Sequence, residues 1–244
     1  MAIPTFVAAG TQAQTANAGG AGPVTPGLPA GIAANDILIL MVEAANEPVN
    51  AISGWANVGS GAVVQATGLV TDLTVRWLRY TGSESAPAVS ITGANHVIAR
   101  IAAFRGCVTS GSPINGTPAV NADNGTTTAF SIPGGTTTAV DCLVVAALST
   151  GTDVTSTAMA SGWTSTTTFS PTLTEFFDNW HVTGNGGGFA AAYGGRAASG
   201  AYNAITGTLT TGNTKATMSF ALQGAAAAAS SEIWRRTPHP SYRR

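Results

Sequence analysis

Apolar residues run without a break through Ile37-Leu38-Ile39-Leu40-Met41-Val42, and again through Cys142-Leu143-Val144-Val145-Ala146-Ala147. Such a run fits neither a helical stripe nor a half-buried strand. It predicts a strand covered on both faces. Elsewhere the period is two. Leu73, Val75 and Trp77 alternate with Thr74 and Arg76, and Ala216, Met218, Phe220 and Leu222 alternate with Thr217, Ser219, Ala221 and Gln223. That spacing puts each set on one side of a strand. The pattern predicts strands over 3–7, 36–43, 62–67, 72–81, 88–92 and 96–105, then over 129–132, 141–149, 163–169, 188–194, 203–209 and 215–223. Residues 10–31 read as a loop held extended by Pro23, Pro26 and Pro29, and 107–135 as a linker-like segment rich in Thr, Gly and Asn.

The order of landmarks repeats. Asp36, which opens the first core strand, is answered by Asp141. Ser53-Gly54-Trp55 is answered by Ser161-Gly162-Trp163, Tyr80 by Tyr193, Ile91-Thr92-Gly93 by Ile205-Thr206-Gly207, and the run ending at Gly106 by the run ending at Gly224. The offsets grow steadily through 105, 108, 113, 114 and 118, as loop insertions in a duplicated unit would make them. Each half has about five predicted strands, fewer than the roughly seven of a free-standing immunoglobulin-like domain. The expectation is therefore an all-β, jelly-roll-like antiparallel β-sandwich built from an internal duplication. It spans 1–224 as a single domain, with copy one at about 30–106 and copy two at about 133–224. Two tandem small sandwiches are the alternative. Trp55 and Trp163 are expected as buried anchors at equivalent positions. Arg100 stands where copy two has Met218, and is expected to reach a sheet edge or an acidic partner.

Composition sharpens this picture. Charged residues make up 9% of the chain, against about 25% in ordinary domains. Lys215 is the one lysine. So little surface charge suits a subunit packed against neighbours better than a free monomer. Residues 1–234 hold six basic and eleven acidic side chains, whereas the last ten residues hold four arginines. The basic tail, 225–244, carries Trp234, Arg235, Arg236, Tyr242, Arg243 and Arg244, and is expected to dock on an acidic partner. Its alternatives are a solubilising tail and a contact with nucleic acid. Cys107 and Cys142 have no metal-type spacing and read as buried hydrophobes, with a disulfide as the alternative. No secretory pattern opens the chain, and no apolar run approaches the ~18 residues of a membrane span. The expectation is a protein made in the cytoplasm, without membrane partners.

The densest polar cluster is Glu175-Phe176-Phe177-Asp178-Asn179-Trp180-His181. Two carboxylates, an imidazole and stacking aromatics are the groups a sugar or cation site uses, so Glu175, Asp178, Trp180 and His181 are candidate glycan contacts. Against this, strand alternation places Glu175 and Asp178 on opposite sides. Asn121-Ala122-Asp123-Asn124-Gly125 has the outline of a calcium loop but lacks its later bidentate glutamate, and a turn accounts for it. Asp36 and Asp141 read as carboxylates capping turns. His96, His181 and His239 are far apart in sequence, and no nucleophile-base order, phosphate loop, zinc spacing or dinucleotide fingerprint occurs. No catalytic residue, metal or cofactor is expected, and no basic nucleic-acid face marks the body.

The pattern Asp-x-Leu with an apolar tail, Gly-Trp, a Trp- and Arg-bearing strand, then Phe-x-Gly or Leu-x-Gly resembles a diffuse group of tailed-bacteriophage virion structural proteins. In that group a Gly/Thr/Ala-rich β-sandwich decorates the head or forms part of the tail or its fibres. The resemblance covers roughly 30–224 and carries no catalytic residues. It implies a non-enzymatic virion subunit whose partners are other virion proteins and copies of itself. A carbohydrate-binding, receptor-recognising module of a virion is the alternative.

Overall fold

The computed structural model describes residues 2–226, except 16–21, 46–48, 60–62, 67–70, 94–95, 152–157 and 183–185. The docking expectation for the C-terminal tail therefore lies outside the described residues.

Among the described residues every regular element is a strand. The first half contributes β1 (Thr5–Ala9), β2 (Ala13–Gln14), β3 (Ile37–Ala44), β4 (Ala56–Asn57), β5 (Val63–Ala66), β6 (Thr71–Arg79) and β7 (Val97–Arg105). These form one antiparallel sheet in the order β1-β7-β3-β6-β4, with β2 also on β7 and β5 also on β6. The second half contributes β8 (Ile114–Asp123), β9 (Ala129–Ile132), β10 (Gly135–Thr137), β11 (Cys142–Thr150), β12 (Ala160–Thr164), β13 (Thr174–His181), β14 (Gly187–Arg196), β15 (Gly200–Tyr202), β16 (Ile205–Leu209) and β17 (Lys215–Gln223). Its main sheet runs β13-β14-β11-β17-β8, accompanied by the three-stranded sheet β12-β16-β9 and the pair β10-β15.

The two large sheets stack face to face as a β-sandwich. Ile37, Ile39 and Met41 of β3 meet Leu143, Val145 and Ala147 of β11 in a core completed by Phe104, Phe177, Phe189 and Phe220. The two halves do not interleave. Each large sheet is drawn from one half of the chain, because β3 and β11 each find both neighbours within their own half.

Both central strands are buried on both faces, as their unbroken apolar runs require. On β3 the outward residues Leu38, Leu40 and Val42 are covered by Val24, Val49, Val89 and Ile91 from loops. These loops touch each other through the isolated bridges Val24–Val89 and Val49–Ile91, where a strand was expected over 88–92. On β11 the outward residues Cys142, Val144, Ala146 and Leu148 are covered by β9, β16 and Tyr202 of β15. The molecule thus has four layers, and its sheet faces are closed by its own chain.

The two sheets are built alike. In each, the central strand has the last strand of its half on one side and a middle strand on the other. Ile37 lies opposite Phe104 as Leu143 lies opposite Leu222, and Ile39 lies opposite Trp77 as Val145 lies opposite Tyr193. Register therefore equates Tyr193 with Trp77, not with Tyr80, and equates Asp141 with Asn35, not with Asp36. The backbone agrees. Asn35 (φ 74°) and Asp141 (φ 55°) are the two described non-glycine residues in the left-handed region, which Asn and Asp tolerate best. Each N–H donates to a carbonyl just past the end of the middle strand, that of Tyr80 (2.8 Å) after β6 and that of Ala197 (2.9 Å) after β14.

Candidate functional site

The 175–181 cluster lies on β13, an edge strand of the second sheet. A β-bulge between Glu175 and Phe177 sets Glu175 opposite Ala192 and Asp178 opposite Ala190. One extra residue in a strand flips the face of everything beyond it. The bulge therefore brings the two carboxylates to the same outer face, reversing the alternation expected from sequence. Both are engaged in holding β12 and its approach. Glu175 accepts the Trp163 indole N–H at 2.6 Å, and Asp178 accepts the backbone N–H groups of Met159 (2.8 Å) and Ala160 (3.2 Å). Burial pushes both carboxyls above their ordinary range, and these hydrogen bonds offset part of that rise. Trp180 packs its half-buried ring against the outer core beneath β9 and β16.

His181 points the other way, into the space between the sheets. Its Nε2 is 2.7 Å from the Thr15 carbonyl oxygen, which can only accept, so that nitrogen carries the proton. Its ring stacks on His96 with centroids 5.4 Å apart. His96 Nε2 lies 2.7 Å from Glu43 Oε2, both side chains fully buried, and the Thr71 hydroxyl is 3.0 Å from Glu43 Oε1 and from Ser149 Oγ. Burial pushes the Glu43 carboxyl up, against the charge and hydrogen bond of His96. Gly187 is required here, because a Cβ on it would sit 2.7 Å from the Glu43 carboxylate. This polar network ties β3, β6, β11 and β13 to His96, the residue just ahead of β7, and its side chains are buried. Sequence reasoning set the histidines apart. The signal it passed over is Glu43, an acid on the inward side of an apolar strand, which must find a partner.

Other candidates resolve as structural devices. Asp36 caps the Ala33 N–H at 2.8 Å, as expected of a turn carboxylate, and also pairs bidentately with Arg105 at 2.9 and 2.7 Å. Arg100 reaches the sheet edge but no acid. It donates to the Gly10 carbonyl (2.8 Å) and the Asn179 side chain (3.2 Å), with its guanidinium 5.2 Å from the centre of the Phe177 ring. The calcium-like segment is a turn, in which Asp123 Oδ1 accepts the Gly125 N–H at 2.8 Å. It does surround a cation, the buried ammonium of Lys215. Lys215 Nζ donates to the carbonyls of Gly125 (2.9 Å), Thr127 (3.1 Å) and Asn213 (2.6 Å), beside Asp123 at 3.2 Å. Cys107 and Cys142 are free and buried, with thiols pushed by burial up to about 12 and about 11. Among the described residues no three His, Cys, Asp or Glu side chains are placed to hold a metal ion, and no helix is long and apolar enough to cross a membrane.

Trp55 and Trp163 each follow a glycine in the left-handed region (Gly54 φ 80°, Gly162 φ 69°), but Trp55 leads into β4 at the edge of the first large sheet, whereas Trp163 lies within β12 of the outer three-stranded sheet. Neither is the buried anchor expected. Both are half-buried, Trp55 against the outer core of the first sheet and Trp163 against that of the second. Each lines a surface cleft, about 630 Å³ at Trp55 and about 290 Å³ at Trp163.

Fold and geometry together define an all-β sandwich with twin outer clefts and a buried polar network between its sheets. Comparison with known protein families, curated proteins and solved structures finds no match to this chain.

Proposed function

We propose that this chain is a non-enzymatic structural subunit of a tailed-bacteriophage particle, a capsid-decoration or tail-associated protein held by contacts with other virion proteins and with copies of itself. The virion part of this reading is supported by the repeated pattern described above. The assembly part is carried by one observation, the edge strand β8. It closes the second sheet, pairs with β17, and runs for ten residues. Its first turn is held by Asn115, which bonds to Thr138 and Ala139. Beyond that, Thr117, Val120, Asn121 and Ala122 stand in solvent, with Val120 53% exposed.

A long edge offers unpaired N–H and C=O groups to any other strand, and free-standing proteins guard such edges with charge, proline or bulges. The guard on β8 is slight: Pro118 and one bulge opposite Ser219–Ala221, with no charge before Asp123, whose carboxylate sits by Lys215. Strand addition there supplies backbone hydrogen bonds to a neighbour while the exposed valine supplies apolar area. The test is composition of purified particles from a phage encoding the chain. The protein should be present at a fixed copy number, with an antibody against it labelling particles in electron micrographs. Its recovery from lysate alone, with none on particles, overturns the proposal.

A further inference from the structure

We infer that the chain carries two binding clefts for neutral saccharides, one built on Ser53-Gly54-Trp55 and one on Ser161-Gly162-Trp163. The site differs from the 175–181 cluster, none of whose residues lines either cleft. At the Trp163 cleft, five of the eight lining side chains carry hydroxyls, with Phe169 and Leu173 completing the wall. Thr164, Thr168 and Thr172 are exposed, and their hydroxyls make no hydrogen bond within the described protein, leaving them free for a ligand. Trp163 is held in place because its indole N–H is anchored on Glu175 and its ring lies 4.9 Å from Phe130. At the Trp55 cleft, Ser53, Ser83 and Ser85 supply hydroxyls and Glu84 a carboxylate. The slight burial of Glu84 acts upward, but hydrogen bonds from Thr81 and the neighbouring backbone outweigh it and bring the carboxyl down to about 2.

The chemistry selects the ligand class. A fixed aromatic surface beside several free hydroxyls matches a sugar ring, which offers one C–H face and a rim of hydroxyls. Neither lining contains Lys, Arg or His, and one contains an ionised carboxylate, which excludes anionic sugars and phosphates. The volumes suit one ring at Trp163 and two at Trp55. The glycine in each motif holds the turn that presents the indole, since a side chain there would meet left-handed strain.

The experiment follows the indole N–H resonances of the full chain during titration with maltose, cellobiose and the N-acetylglucosamine disaccharide, with sialyllactose as the anionic control. Trp55 and Trp163 should both shift saturably with at least one neutral sugar while Trp77 and Trp180 stay still. Sialyllactose should leave all four unmoved. Replacing Thr168 and Thr172 together by valine keeps shape and removes hydroxyls. It should weaken the Trp163 response about tenfold and leave the Trp55 response unchanged. If neither indole moves with any neutral sugar, or both respond equally to sialyllactose, the clefts are not saccharide sites. A response at one indole alone overturns the proposal for the other cleft.

Discussion

The two halves share a sheet but not a cover. Behind β11 lie three hydrogen-bonded strands, and behind β3 lie loops joined by two isolated bridges. The outward faces they close are equally apolar, since Leu38, Leu40 and Val42 are as fully buried as Val144, Ala146 and Leu148. Burial of a doubly apolar strand thus needs apolar atoms at the right height, not a particular secondary structure. The comparison also changes what composition implies. A doubly apolar strand needs a cover on each face, and here the chain supplies both covers itself. The proposed contacts with other molecules therefore fall on the sheet edges and the outer clefts.

The sharpest way to break the comparison is through the core both halves share. Phe104→Ala in the first sheet and Phe189→Ala in the second should each cost about 3–5 kcal/mol, as truncation of a fully buried aromatic does. Each should lower the midpoint of one cooperative urea transition. A variant that melts its own sheet and leaves the other intact would show two independent units.

Next is the buried cation. Lys215 has no counterpart in the first half, where β7 begins with the apolar Val97 on the matching position. Lys215→Met should cost about 2–4 kcal/mol, because it leaves buried carbonyls without their donor. Denaturant titration checks this, and a neutral result would mean that water replaces the ammonium at no cost.

The smallest effect concerns the thiols, one from each half. The Cys107 thiol sits at about 12 in the fold against an ordinary 9.0. Its thiolate is disfavoured by folding, so the unfolded chain releases the proton first and stability falls as pH rises from about 9 toward 12. Iodoacetamide at pH 8 should leave the native protein unmodified and label both cysteines once denaturant unfolds it. Labelling under native conditions would place a thiol at the surface.

Much of this was legible in the sequence. The unbroken apolar runs located both central strands, and strict alternation located β6 and β17. The repeated punctuation marked two glycine turns in the left-handed region before Trp55 and Trp163, but aligning Asp36 with Asp141 slipped the register by one residue against Asn35, and aligning Tyr80 with Tyr193 slipped it by three against Trp77. What escaped was the edge of the second sheet. β8 is mostly Asn, Gly, Thr, Pro and Ala, with Ile114 and Val120 its only large apolar residues and too far apart to mark a face, so it has no apolar period to detect. β13 has a period, but its bulge breaks it at Phe176, which is why the carboxylates were assigned to opposite faces. The His96–His181 stack joins residues from different sheets, and only the fold brings them together.

The proposed assembly contact lies on the β8 edge and not on the covered faces. Hydrogen–deuterium exchange, comparing the free chain with the same chain in assembled particles, measures this directly. The amides of 117–122 should gain protection on assembly, while those of 49–55 and 160–169 exchange as they do in the free chain. Protection gained in the cover segments, with β8 exchanging unchanged, would contradict it.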